Sequence, residues 1–157
     1  MKSLINIFLI VLVIGSTSVL TAQSNNSSVE KEIISLTYKI WNAEMNKNSN
    51  EMNRYLSDDY TEFNPTYSTR IDGKKMNVTL SEALSTNSGT ILASEMLNPK
   101  VQVYGNTAIL SYNYAGVNKT KDGKINNVKA KSTRVYSKVN GEWKLVHANF
   151  AFDPTQN

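Results

Sequence analysis

Hydrophobic and polar positions follow a helical period in the first part of the chain. Residues 29–45 carry apolar side chains three and four positions apart, which predicts an amphipathic helix that begins after an N-cap at Ser28. Its apolar stripe consists of Ile33, Leu36, Ile40 and Ala43. Shorter helices are predicted at residues 51–56 and 79–86, the latter capped by Thr79 with a glutamate three residues later. The pattern therefore predicts three helices ahead of the four long strands.

Beyond Gly89 the pattern changes to alternation, which is typical of strands with one buried face. Turn residues separate the strands at Gly105-Asn106 and Asn140-Gly141, and Pro99 indicates a bulge or an edge position. The predicted strands occupy residues 59–64, 69–72, 91–104, 107–117, 125–138 and 142–150. Helices followed by a strand meander predict an α+β fold, with the first helix across the concave side of a curved antiparallel sheet.

The first 22 residues have the layout of a secretory signal peptide, with an early lysine, an apolar centre from Leu4 to Ile14 and a small residue, Ala22. Residues 23–28 then form a polar spacer, and residues 29–154 a single domain. We expect an exported protein, periplasmic or extracellular, with no stable membrane span after cleavage; the alternative is an uncleaved N-terminal anchor. The chain contains no cysteine, which excludes disulfides and a lipid-modified N-terminal cysteine.

Charge and composition limit the partners, metals and cofactors that we expect. The formal net charge is +4, but lysines and arginines are scattered without a long basic block, so nucleic acid is not an expected partner. With one histidine and no cysteine we expect no metal site. No cofactor is indicated, because the sequence has no glycine-rich phosphate loop, and no motif supports a serine or cysteine nucleophile.

The last predicted hairpin leaves two registers open. A two-residue turn at residues 140–141 pairs Arg134 with His147 and puts both on one face of the sheet. A bulged turn shifts the register, so that Arg134 shares a face with Ala148 and Phe150 while His147 lies on the other face. The register therefore decides which of the two polar side chains faces the concave side.

Four segments resemble the nuclear transport factor 2-like superfamily, and within it the association domain of calcium/calmodulin-dependent protein kinase II and its stand-alone bacterial relatives. The segments are EIISLT (Glu32–Thr37), YTEFNP (Tyr60–Pro65), MLNPKVQVYGNTAILSY (Met96–Tyr112) and STRVYSKVNGEWKLVH (Ser132–His147). The resemblance implies a cone formed by a curved sheet and three helices. SnoaL-like cyclases and ketosteroid isomerases share this wider fold.

The resemblance also implies a non-enzymatic hub that dimerises through its sheet, assembles into rings and holds a carboxylate-attracting pocket lined with arginines. One pocket arginine matches Arg134, whereas the positions of two others hold Tyr114 and Phe150. The family's His-x-His keeps only His147. Strong binding of a dicarboxylate is therefore not expected, and a larger, more apolar ligand with one anionic or carbonyl oxygen fits better. The resemblance favours the bulged register, with His147 toward the outer face.

We expect a self-associating domain, a homodimer or a larger ring, that binds a small, partly apolar molecule inside the cone without chemistry. The expected pocket residues are Arg134, Tyr112, Tyr114, Tyr136, Trp41 and Phe150. The alternatives are that the aromatic residues fill the core and that Arg134 forms an ion pair with Glu62, Glu95 or Asp59.

Two other functions remain open. One is a cofactor-free lyase or isomerase acting on a carbonyl compound, with a carboxylate base and a tyrosine hydroxyl that stabilises the oxyanion. No motif fixes its catalytic residues; the candidates are His147, Glu62, Glu95 and Asp59. The other is an oligomerisation module with a filled cone.

Overall fold

The structure is a computed structural model that describes residues 26–85 and 89–153. The predicted signal peptide, residues 1–22, and residues 23–25 of the spacer lie outside the described residues. The helices are α1 (residues 26–45), α2 (Ser49–Tyr55) and α3 (Lys74–Ser85). The strands are β1 (Leu56–Phe63), β2 (Ile71–Asp72), β3 (Thr90–Tyr104), β4 (Thr107–Lys119), β5 (Ile125–Val139) and β6 (Glu142–Phe152). Within the described residues, no helix has the length and apolar character to cross a membrane.

Two helix starts differ from the predictions. α1 already includes residues 26–28, which are exposed, so Ser28 lies inside the helix and is not its N-cap. α3 begins at Lys74, and Thr79 lies in its interior, where its hydroxyl donates to the Lys75 carbonyl at 3.0 Å. A threonine can satisfy its hydroxyl on the preceding helical turn as well as at a cap, so the capping-box pattern misplaced the start. Asn48 caps α2, with its side chain accepting from the Glu51 amide.

The six strands form one sheet in the order β2-β1-β6-β5-β4-β3, which confirms the α+β prediction. All neighbouring pairs are antiparallel except β1 and β6, which are parallel. The meander from β3 to β6 brings the last strand back beside the first, so the sheet is curved, open and mixed. Pro99 lies in the edge strand β3 beside an irregular register, as predicted.

The final hairpin combines features of both predicted registers. The turn has two residues, Asn140 and Gly141, with φ of 53° and 84°, and the last residue of β5 pairs directly with the first of β6. The register shifts farther along the hairpin. Tyr136 pairs with Leu145 and Val135 with His147, which leaves Val146 as the extra residue of a bulge. The bulge in the strand, not in the turn, therefore places Arg134 opposite Ala148.

The core forms between α1 and the concave face of the sheet. The predicted stripe of α1 is buried, and Trp41 is buried beside it. Opposite it, the inward side chains of β4, β5 and β6 are buried at Ala108, Leu110, Tyr136, Trp143 and Leu145. Burying one large aliphatic side chain contributes roughly 1.5–3 kcal/mol, so this contact holds α1 against the sheet. Packing fills the end of the cone near the final hairpin and leaves the other end open.

Candidate ligand cavity

A cavity of about 340 Å³ lies between the helices and the concave face of the sheet. α1 contributes Trp41 and Glu44, and β1 contributes Glu62. The sheet contributes Tyr112, Tyr114, Arg134 and Phe150. Small-molecule sites typically have volumes of roughly 300–1,000 Å³. Five of the six predicted pocket residues line this cavity, and their role in binding stays a prediction.

Arg134 is the cation of the cavity and is only 3% exposed. Its Nε donates to the Tyr112 Oη at 3.0 Å, and its guanidinium carbon lies 5.1 Å from the centre of the Phe150 ring. No carboxylate of the described residues lies within the 4.0 Å of an ion pair with it. The alternative of a direct ion pair with Glu62, Glu95 or Asp59 is therefore wrong for this structure. A phenol and an aromatic ring surround the buried charge instead.

Tyr136 is the predicted pocket residue that does not line the cavity. It is fully buried, and its Oη lies 2.8 Å from the Thr37 Oγ1. The Thr37 hydroxyl has a single hydrogen, which it donates to the Ile33 carbonyl at 2.8 Å. Tyr136 must therefore donate to Thr37, and its oxygen keeps its lone pairs toward the positive field of Arg134. Its role is to fix the core beneath the guanidinium.

Aromatic side chains form one wall of the cavity. The Trp41 ring centre lies 5.6 Å from that of Tyr112 and 5.4 Å from that of Tyr114, the latter pair nearly perpendicular. Gly116 makes this arrangement possible, because a Cβ at that position would lie 2.7 Å from Cε1 of Tyr114. The missing side chain lets the Tyr114 ring lie along its own strand and reach the tryptophan. The wall offers ring edges and faces to an apolar ligand.

Glu62 lies at the opposite side of the cavity and is 7% exposed. Tyr60 donates to its Oε2 at 2.6 Å, Asn64 to Oε1 at 2.9 Å, and Asn77 to Oε2 at 3.3 Å. Burial, and then the nearby Glu62 charge, raise the pKa of Tyr60 well above its usual value near 10. Tyr60 therefore stays a neutral donor, and the Glu62 carboxylate is held in place by three donors.

Glu44 is a cavity residue that the sequence analysis missed. Its side chain lines the cavity and is exposed to solvent, although many protein atoms lie around the carboxylate. Desolvation raises the pKa of Glu44, the Arg134 charge opposes this, and Glu62 adds to it. A signal was present, since Glu44 follows Trp41 by three positions and so is its neighbour on the surface of α1.

Three candidate residues lie outside the cavity. Glu95 is exposed on β3, and Asp59 is exposed on β1 and accepts from the Ser57 hydroxyl. Strand alternation turns both side chains away from the concave face, so neither can act as a base inside it. His147 is half-buried, with its Nδ1 2.8 Å from the Thr61 Oγ1 and Phe63 edge-on to its ring. It lies on the outer face, as the bulged register predicted.

The cavity thus combines an aromatic wall, one guanidinium and two carboxylates. These groups can hold an apolar skeleton together with a few polar atoms. Among the described residues there is no group of three or more histidine, cysteine or acidic side chains placed to hold a metal ion.

An open, curved sheet with three helices over its concave face and a cavity between them is a nuclear transport factor 2-like fold. The sequence profile described as "calcium/calmodulin dependent protein kinase II association domain" matches residues 29–151. The chain therefore belongs to the calcium/calmodulin dependent protein kinase II association domain family. No curated protein matches the sequence significantly.

Solved structures agree with this fold. The association domain of calcium/calmodulin-dependent protein kinase II from C. elegans is 21% identical, with a TM-score of 0.69, over 81% of this chain and 98% of that chain. A nuclear transport factor 2-like superfamily protein from Salmonella enterica is 16% identical, with a TM-score of 0.69, over 83% and 95%. A candidate ketosteroid isomerase from Parabacteroides distasonis is 22% identical, with a TM-score of 0.63, over 80% and 88%. At these identities the likeness shows the fold.

Proposed function

We propose that this protein is an exported, self-associating domain that binds a small, partly apolar molecule in its cavity without transforming it. The observation that carries the binding proposal is Arg134, a buried cation at the cavity wall with no carboxylate partner among the described residues. A buried charge is costly unless hydrogen bonds or opposite charge compensate it, and a ligand oxygen supplies that compensation.

The ligand oxygen binds where Arg134 and Tyr112 meet. The Tyr112 oxygen accepts from Arg134, so the hydroxyl hydrogen of Tyr112 is available to a second acceptor. The apolar part of the ligand then packs against Trp41 and Tyr114. A carbonyl or hydroxyl oxygen of the ligand suits this site better than a ligand carboxylate does, because Glu44 and Glu62 already bring acidic groups to the cavity.

The proposal of binding without chemistry rests on how two of the predicted candidate bases, Glu62 and His147, are placed. The Glu62 carboxylate is held by three donors, and His147 lies on the outer face. The alternative is a cofactor-free lyase or isomerase. One observation favours this alternative: the pKa of Glu44 is raised, and tyrosine hydroxyls lie beside its carboxylate. The Parabacteroides neighbour also shares the fold. In that case Glu44→Gln abolishes turnover while leaving binding measurable.

Self-association is supported by membership of a family described as an association domain and by the outer face of the sheet. That face carries Phe63, 49% exposed, and Leu97, 39% exposed, with Ile109 and Val135 on the central strands between them. His147 lies within the same surface. An apolar patch of this kind suits a second copy of the chain. A hub without a ligand, the third possibility, requires the cavity to stay empty.

Light scattering of the mature chain, residues 23–157, tests the assembly. The proposal predicts a dimer or a larger ring, and a monomer at micromolar concentration would contradict it. Binding is read from Trp41 fluorescence in a Trp143→Phe background, which leaves a single tryptophan at the cavity wall. Saturable quenching by small carbonyl compounds supports the cavity as the site. Cell fractionation with N-terminal sequencing tests export, with a mature start at Gln23 expected.

A further inference from the structure

We propose that the cavity selects ligands that carry an ammonium group, which the Glu44 carboxylate and the aromatic wall of Trp41 and Tyr114 receive. This inference rests on the proposed binding function and names the class of its ligand. It reverses the charge preference that a pocket rich in arginines would have.

The charges of the cavity are the first argument. Among the described lining residues, the acidic and basic side chains are Glu44, Glu62 and Arg134. Two carboxylates against one guanidinium leave a net negative site. A low-dielectric cleft lined by one excess sign concentrates ions of the opposite sign. An anionic ligand would meet Arg134 only while also facing both carboxylates.

The state of each charge is the second argument. Arg134 donates to Tyr112 and lies over the Phe150 ring, and Glu62 accepts from three donors. The Glu44 carboxylate receives no hydrogen bond or ion pair from the described residues. It is therefore the cavity carboxylate that no described protein donor holds, and a ligand ammonium supplies both a positive charge and three donors.

The surroundings of Glu44 are the third argument. Trp41 lies one turn before it on the same face of α1, and the Tyr114 ring stands 5.4 Å from the tryptophan. Burial first, and then the Glu44 charge, raise the pKa of Tyr114, which places the carboxylate close to that phenol. A carboxylate beside two aromatic rings attracts an ammonium through its charge and through the ring quadrupoles.

A matched series of probes tests the charge preference directly. 3-Phenylpropan-1-amine, 3-phenylpropan-1-ol and 3-phenylpropanoate share one skeleton and differ in charge at neutral pH. The amine is expected to bind about tenfold more tightly than the alcohol, since only the amine offers a positive charge to the Glu44 carboxylate and to the aromatic rings. The acid is expected to bind more weakly than the alcohol. Titration calorimetry measures all three.

Variants locate the effect. Glu44→Gln is expected to lower the affinity for the amine to that for the alcohol, while the affinity for the alcohol stays the same. Glu95→Gln is the matched control, because it makes the same chemical change at an exposed site outside the cavity. It is expected to change the affinity for neither the amine nor the alcohol. Equal binding of amine and alcohol by the unmodified protein would overturn the ammonium inference and leave the binding function standing. Failure of all three probes to bind would overturn both.

Discussion

Replacing Arg134 by methionine separates a binding role of the guanidinium from a structural one. Methionine keeps an unbranched chain of similar reach but removes the charge and all five N–H donors. If Arg134 is present to meet a ligand oxygen, the fold does not depend on it. If the fold depends on it, the variant unfolds easily or loses its assembly.

The contacts of Arg134 set the expected change in the free energy of unfolding. The variant loses the hydrogen bond to Tyr112, about 1.5–3 kcal/mol for a charged donor, and the contact over Phe150, about 0.5–2 kcal/mol. It also removes a buried cation that no described carboxylate pairs with. The desolvation cost of a buried ion is several kcal/mol in proteins, and the variant no longer bears it. The opposing effects nearly cancel, so the free energy of unfolding should change by less than about 2 kcal/mol.

Equilibrium unfolding in urea measures this change, with the midpoint compared at an unchanged m-value. Arg54→Met is the matched control, because Arg54 is an exposed residue of α2 whose weak ion pair with Glu51 spans 3.7 Å. It should change stability by less than about 0.5 kcal/mol. In the Arg134 variant, affinity for a carbonyl ligand should fall by at least about tenfold while the oligomer persists. A loss of more than about 3 kcal/mol, or a monomeric variant, would refute the reasoning.

Three further predictions concern the wall, the core and the outer face. Gly116→Ala is expected to displace the ring of Tyr114 and weaken ligand binding several-fold with little effect on secondary structure, as fluorescence titration and circular dichroism would show. Tyr136→Phe should cost about 1 kcal/mol in urea unfolding, and Thr37→Val more, since valine leaves the buried phenol without its acceptor; the opposite order would contradict the assigned donor directions. Val135→Asp should dissociate the assembly in light scattering without unfolding the chain, and an intact oligomer would place the interface elsewhere.

Much of the fold follows from local pattern. The period of the stripe on α1 and the alternation of the four long strands locate these elements correctly, because one buried face imposes a regular spacing. The parallel pairing of β1 with β6 was not predicted, since it joins segments far apart in the chain. The bulge at Val146 was placed in the turn instead, because alternation shows that a register shifts but not where.

The site was predicted less completely. Arg134 came from the resemblance, whereas Tyr112 and Trp41 came from the strand face and the first helix, and the structure brings all three to one cavity. Tyr136 was assigned to the pocket because it shares a strand face with Arg134, yet it lies closer to the packed end of the cone. Glu44 was missed because a carboxylate near a helix end is usually solvated, and only the tertiary fold shows what it faces.

Native mass spectrometry of the mature protein, purified from its own export compartment, tests the central claim most directly. The account predicts a dimer or a ring that carries extra mass, and that mass should disappear on denaturation and identify the bound molecule. A monomer at the bare mass of the protein would contradict both the self-association and the binding function.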